Sequence, residues 1–254
     1  MLRMLALIVP LMAGVTGAAQ AQAPYPNRPI RVVIPFGPGG FADITMRLVG
    51  QQLSERSGVQ VVIENRPSAG GIIAANAVTS AQPDGYTLFV FSSGIALSKS
   101  LLKTMPFDPV TAFTPVSTLA LFDLLLLVKA DSPWHNVKDA LDAARADPSK
   151  FNIGTINPGS TQNVSAELLR SVTGIPVTIV PHRATADVLT SLLRGDTQIG
   201  VESYAALKSP IDAGQIRAIA ATGDKRSAMQ PNVPTLKESG INAEVVGWNS
   251  LVAP

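Results

Sequence analysis

A chain of 254 residues with 46% hydrophobic side chains and no cysteine has core material for one large domain or two small ones, and no disulfide to lean on. Its 20 basic and 18 acidic residues nearly balance and are scattered, with no run of five or six like charges, which argues against a nucleic-acid partner. Two histidines without cysteine cannot assemble a His/Cys metal cluster, and no cofactor is expected.

Residues 1–23 read as a secretory signal: Arg3 supplies the positive start, residues 5–15 the apolar run, and Ala21-Gln22-Ala23 the small-x-small cleavage site. Cleavage near Ala23 predicts an exported product that begins near Pro24 and keeps 19 basic and 18 acidic residues, Arg3 being the one charge lost. The apolar run falls short of the roughly 20 residues that span a bilayer. No later segment does better, so no stable membrane insertion is expected.

From there, short β-branched runs alternate with helical patterns, the signature of βα units around mostly parallel sheets. A strand over residues 30–36 meets the turn Gly37-Pro38-Gly39-Gly40. Asp43 is the expected N-cap of a helix with Met46, Val49 and Leu53 on one face and Gly58 at its end. A strand over 59–64 leads through Ser68-Ala69-Gly70-Gly71 to a helix over 72–79. The turn Pro83-Asp84-Gly85 opens a strand over 86–91 that stops at Ser92-Ser93-Gly94. Residues 119–128 form an apolar run broken by Asp123, which reads either as an ordinary core strand or as one crossing between two halves.

The second half repeats the plan without a sequence repeat. A helix over 137–146 precedes a strand over 151–155, the loop Asn157-Pro158-Gly159-Ser160-Thr161, and a helix with Val164, Leu168 and Val172 inward, closed by Gly174. A strand over 177–180 precedes Pro181-His182-Arg183, and a helix over 187–194 precedes a strand over 198–201 that runs into Glu202-Ser203. A short helix over 205–213 and a strand over 216–222 follow.

In open α/β sheets ligands bind beyond the carboxyl ends of strands, and here those ends carry glycines and hydroxyls in both halves. Gly37, Gly39 and Gly40 allow a close backbone approach, so that the N–H groups of Gly40, Phe41 and Ala42 can point at an anion beside a helix N-terminus. The same loop also reads as a plain tight turn, and each serine or threonine of the other loops as a helix cap. His182 and Arg183 offer a hydrogen bond and a bidentate pair to a distal carboxylate, or else a solvated rim. Glu202 reads as an acceptor for a ligand donor or for backbone N–H groups. A Ser93–His182–Glu202 triad can be written down, but nothing in the spacing demands it and no G-x-S-x-G elbow is present.

Five segments, in order, carry a resemblance. They are Pro35-Phe36-Gly37-Pro38-Gly39-Gly40 with Asp43 and Arg47; Glu64-Asn65-Arg66-Pro67 with Gly70-Gly71; Pro83-Asp84-Gly85-Tyr86-Thr87-Leu88; Pro106-Phe107-Asp108-Pro109 with Phe113 and Pro115-Val116; and Lys225-Arg226-Ser227 with residues 231–235. Together they resemble the substrate-binding receptors of tripartite tricarboxylate transporters, the TctC or Bug-type family, across the whole mature chain.

The resemblance implies an α/β periplasmic-binding-protein fold of the second type: two βα lobes, a hinge and an interlobe cleft. Residues 24–122 and 232–254 would form one lobe and residues 123–231 the other. It implies capture, without chemistry, of a small organic carboxylate for delivery to one large and one small membrane subunit of a transporter. A hydrolase or transferase using the same cleft, or a ligand sensor docking to a signalling receptor, are the alternatives. The ligand-binding positions it implies are Phe36, Gly39, Gly40, Phe41, Ala42 and Asp43; Ser68, Ala69 and Gly70; Ser92 and Ser93; Thr155, Gly159, Ser160 and Thr161; His182 and Arg183; and Glu202 and Ser203.

Three positions depart from the family pattern: Phe41-Ala42 replaces glycine-threonine, Pro181-His182-Arg183-Ala184 replaces proline-tyrosine-lysine-glycine, and Glu202-Ser203 replaces aspartate-asparagine. The first removes a hydroxyl and adds apolar bulk, which predicts a ligand with an aromatic or apolar body. The chain also ends at Pro254, where the resemblance implies further C-terminal helices packed on the first lobe.

Overall fold

The computed structural model describes residues 24–254, so the expected signal lies outside the described residues. Two five-stranded sheets organise the chain. The first holds β1 (Ile30–Ile34), β2 (Val61–Asn65), β3 (Thr87–Ser92), β4 (Thr114–Asp123) and β10 (Val246–Ala253), in the order β2-β1-β3-β10-β4. The second holds β5 (Leu125–Lys129), β6 (Asn152–Ile156), β7 (Thr178–His182), β8 (Ile199–Glu202) and β9 (Ile216–Ala221), in the order β7-β6-β8-β5-β9.

The two sheets are built alike. Three parallel strands stand side by side in each, and an antiparallel strand arriving from the other lobe is inserted next to them. That strand is β10 in the first sheet and β5 in the second. The apolar run over 119–128 is therefore not one strand. Asp123 pairs with Val246 in the first sheet, Leu125 with Glu202 in the second, and Leu124 alone separates them.

The leucine run of β5 follows from this position. Leu124, Leu126 and Val128 face one buried cluster with Ile153, Leu169 and Ile199, while Leu125 and Leu127 face another with Leu192, Leu207 and Ile216. A strand covered on both faces has no polar side to show. Residues 233–243 also pack on the second sheet: Thr235 bridges Ala221, and Leu236 and Ala243 join the second sheet's core.

The helices are α1 (Phe41–Ser57), α2 (Ile72–Thr79), α3 (Ser93–Leu101), α4 (Val137–Ala146), α5 (Thr161–Thr173), α6 (Thr185–Arg194) and α7 (Lys208–Asp212). Gly58 and Gly174 close α1 and α5, as anticipated, and do so as left-handed caps with φ of 70° and 65°. Four expectations change. The N-cap of α1 is Gly40, and Asp43 lies inside the helix because its carboxylate is drawn back to the turn. The fully buried face of α5 is Ser165, Ala166 and Leu169; of the residues expected inward, Leu168 packs half-buried against the second sheet's core, Val164 is half-buried and Val172 is exposed. The reason is that the first turn of α5 is wedged between the lobes, which rotates the stripe. The helix over 205–213 shrinks to α7. Finally, Ser93 and Gly94, expected only as the end of a strand, open α3, which is capped by the Ser92 hydroxyl accepting from the Ile95 N–H at 3.3 Å.

Candidate functional site

The turn after β1 is held from within. Gly39 takes a φ of 78°, and its N–H donates to Asp43 Oδ2 at 3.0 Å. The same carboxylate accepts from Arg47 Nε at 2.9 Å, and its other oxygen from Asn65 Nδ2 at 2.9 Å. Asn65 Nδ2 also reaches Phe36 O at 3.1 Å, tying the loop to the end of β2. Burial would raise the Asp43 pKa, but the bonds from Arg47, Gly39 and Asn65 outweigh it and hold the carboxyl below its ordinary value. Asp43 shapes the loop, and the first-turn N–H groups of Phe41 and Ala42, which have no intrahelical acceptor, are what the loop presents.

The strand-end loops of the two sheets meet. Asn157 Nδ2 donates to Ser68 O at 2.7 Å, Gly70 N to Pro158 O at 2.8 Å, and the hydroxyls of Ser93 and Thr161 lie 2.9 Å apart. The fit depends on missing side chains. A Cβ on Gly94 would stand 2.5 Å from Ser160 C and Thr161 N, one on Gly37 2.7 Å from Arg183 O, and one on Gly40 3.2 Å from Thr185 Oγ1. Ile156 and Val188 of the second lobe join the first lobe's apolar cluster.

Between these loops lies a cavity of about 20 Å³ lined by Phe36, Gly40, Phe41, Ala42, Ser92 and Asn249 from the first lobe, Phe122 at the crossing, and Ile156, Thr161 and Gln162 from the second. That is room for about one water. The Phe41 and Phe122 rings close one side, their centroids 4.3 Å apart. Beyond them a groove of about 370 Å³ is lined by Asp123, Ser203, Tyr204 and Lys208, among others.

Of the expected positions, Phe36, Gly40, Phe41, Ala42, Ser92 and Thr161 line the inner cavity, and Ser203 lines the outer groove. Others are engaged in structure. The Ser68 hydroxyl accepts from Ile73 N in the first turn of α2, Ser160 caps α5, and the fully buried Thr155 donates to Ile156 O. Gly70 and Gly159 lie at the interlobe contact, while Gly39, Ala69 and Arg183 are exposed. His182, half-buried at the end of β7, has an unpartnered Nε2, and burial pushes its pKa down against the pull of Asp187 and Asp196. Ser93, His182 and Glu202 form no hydrogen bonds with one another: Ser93 contacts Thr161 and Trp248 N, and Glu202 three other groups. Among the described residues there is no cluster of three potential His, Cys, Asp or Glu metal ligands, and no helix is long and apolar enough to cross a membrane.

Sequence reading missed Asn249. It is 2% exposed, lines the cavity, and its Nδ2 is buried without a partner. No local signal marks it, because it reaches the site through the insertion of β10 between β3 and β4. Thr185 and Phe122 were missed for the same reason, each brought in by a neighbouring element rather than by a glycine loop.

Glu202 is fully buried at the end of β8. It accepts from Gln162 Nε2 at 2.9 Å and Ser203 N at 2.7 Å on one oxygen, and contacts Thr185 Oγ1 at 2.7 Å with the other. All three partners are neutral, so desolvation dominates and raises its pKa, the bonds from Thr185, Ser203 and Gln162 offsetting this in part. A carboxyl raised on folding keeps a proton that the unfolded chain releases, so its contribution to stability is complete below the ordinary value of about 4.3 and is lost as pH climbs through the raised value. The parent protein is therefore expected to lose melting temperature over this rise more steeply than Glu202→Gln. Parallel melting curves against pH for the two would refute it.

Two similarly built α/β lobes, joined by crossing strands and meeting through their strand-end loops, form the architecture of periplasmic binding proteins. Residues 45–254 match the model of the tripartite tricarboxylate transporter family receptor, and the chain belongs to this family of periplasmic solute-binding proteins. Similar solved structures include MatC from Rhodopseudomonas palustris with bound malate, at a TM-score of 0.86 and 29% identity, covering 91% of this chain and 79% of that one. A second R. palustris protein, solved with adipate, matches at a TM-score of 0.86 and 36% identity, covering 91% of this chain and 78% of that one. Protein BugT of Bordetella pertussis (strain Tohama I) is 31% identical over 258 residues, 100% of this chain and 79% of its own length. Fold and family are those of substrate-binding proteins.

Proposed function

We propose that the chain is exported to the periplasm, closes its two lobes on a small organic carboxylate, and hands it to a transporter made of one large and one small membrane subunit. The observation that carries this reading is the convergence of unsatisfied donors on the interlobe cavity: the buried Nδ2 of Asn249 and the first-turn N–H groups of α1. Donors at a helix N-terminus favour an anion, and a site with few other charges can hold one tightly. That malate and adipate are bound by relatives of the same fold supports a carboxylate. Because the closed cavity holds little more than a water, entry requires the lobes to part.

The apolar lining favours a ligand with an aromatic or apolar body that lies against Phe41 and Phe122 and extends towards the outer groove. An aromatic contact is worth about 0.5–1.5 kcal/mol beyond its buried area. Phe41→Gly is therefore expected to weaken aromatic acids roughly 2- to 12-fold and to leave short polar acids unchanged or improved, as read by calorimetry. Tighter binding of malate than of every aromatic acid by the parent protein would sink this part of the reading. Native mass spectrometry of freshly purified protein, then thermal shift against a panel of organic acids, tests the function itself: a retained or stabilising acid is expected, and a panel without effect overturns it.

A further inference from the structure

The groove outside the Phe41–Phe122 pair carries a charge that nothing nearby answers. Asp123, the last residue of β4, lies half-buried in its lining. Its Oδ2 is buried without a partner against Gly223, where an added Cβ would stand 3.5 Å from that oxygen. A donor from outside can therefore reach the carboxyl only from the groove. Among the described residues no cation is paired with it, and its own backbone N–H is its one donor, so burial holds its pKa above the ordinary value. Lys208, the basic residue of the groove, is spent elsewhere: its Nζ is held by Asp212, which also accepts from the Tyr204 hydroxyl at 2.9 Å. The aromatic walls act in the same direction. Phe41 and Phe122 line both the inner cavity and the groove, and the face of a phenyl ring attracts a cation within about 6 Å of its centroid.

We propose that the outer groove is a subsite for an ammonium group, so that the ligand is an acid holding its carboxylate in the inner cavity and carrying a protonated amine at the far end of an apolar body, received by Asp123. The inference rests on the carboxylate-receptor reading and adds a second charge, its place and the residue that meets it. The ammonium N–H groups donate to the Asp123 carboxyl while the stem of the ligand lies along the Phe41 and Phe122 rings. A cation set against this carboxyl offsets what burial costs its ionised form, which a neutral end of the same size cannot do.

The test is calorimetry at neutral pH with two matched pairs, para-aminomethylbenzoate against para-methylbenzoate and ω-aminohexanoate against hexanoate, on the parent protein and on Asp123→Asn. Asparagine keeps the shape and removes the charge. In whichever pair binds, the amine-bearing acid is expected to bind the parent at least about tenfold tighter than its neutral partner, the scale of one charge-assisted hydrogen bond. In the variant the ratio should fall below about threefold, through a loss by the amine-bearing acid alone. Neutral acids that bind the parent as tightly as their amine-bearing partners overturn the proposal and leave the receptor reading standing, as does a wider panel in which other acids bind and neither pair does. An amine preference that persists unchanged in the variant removes Asp123 as its cause and also overturns it. If no acid of these pairs or of the wider panel binds, both readings fall. Should Asp123→Asn not fold, Asp123→Ser, which removes the same carboxyl, is read in the same way, and the parent's ratios still decide whether the groove takes a cation.

Discussion

Gly94→Ala is expected to hold the lobes apart and to weaken ligand binding more than any change to a cavity-lining hydroxyl. The added methyl would sit 2.5 Å from Ser160 C and Thr161 N and 2.6 Å from Gly159 O, all backbone atoms of the opposite lobe, so no side chain can rotate out of its way. Within its own lobe Gly94 lies in the first turn of α3, where alanine is a better helix former. Folding of each lobe should therefore survive while closure does not. Overpacking of this kind costs about 1–3 kcal/mol, which corresponds to roughly 5- to 150-fold in affinity when it is charged to the closed state alone. The check is twofold: calorimetry with the acid that most stabilises the parent, and small-angle scattering of both proteins with that acid. The parent should contract and the variant should not. A variant that binds and contracts like the parent would mean that the Gly94 contact has no part in the bound form.

How much of this was legible beforehand follows from what each residue needs in order to act. The loop over residues 36–43 announced itself because a close backbone approach requires glycine, and glycines are visible in sequence. The left-handed caps at Gly58 and Gly174 were readable for the same reason. The parallel βα order was carried by local periodicity, and the crossing near Asp123 was one of two open readings of residues 119–128. What could not be read were placements set by partners distant in the chain. Asn249 enters the site because β10 inserts beside β3, which no local pattern encodes. The face of α5 was misjudged because its first turn is buried by the opposite lobe, so that Thr161, Gln162 and Asn163 are inaccessible despite being polar. Nor does the sequence disclose that the Glu202 carboxyl is turned onto Gln162, Thr185 and Ser203, since those partners lie on three different segments.

The second large effect is expected at the crossing between the lobes, where Thr222→Val should lower stability and disturb the hinge together. Thr222 is 1% exposed and bonds to two other chain passages. Its hydroxyl accepts from Leu124 N at 2.9 Å and donates to Val245 O at 2.8 Å. Its own backbone N–H donates to Leu124 O at 2.8 Å, and its carbonyl accepts from Val245 N at 2.8 Å. Leu124 is the single residue between β4 and β5, and Val245 precedes β10, so this one hydroxyl links the outgoing and returning passages. Valine fills the same volume but offers neither donor nor acceptor, leaving the buried Leu124 N–H unmet at a cost of about 1–3 kcal/mol. For a chain of this size roughly 2 kcal/mol shifts the melting temperature by about 4–8 °C. Thr222→Ser, which keeps the hydroxyl and loses only a methyl, should recover most of the loss. A valine variant melting within about 1 °C of the parent would show that the backbone pairs on either side hold the crossing without the hydroxyl. If instead valine lowers the melt and serine restores it, the two passages are coupled through a single side-chain oxygen.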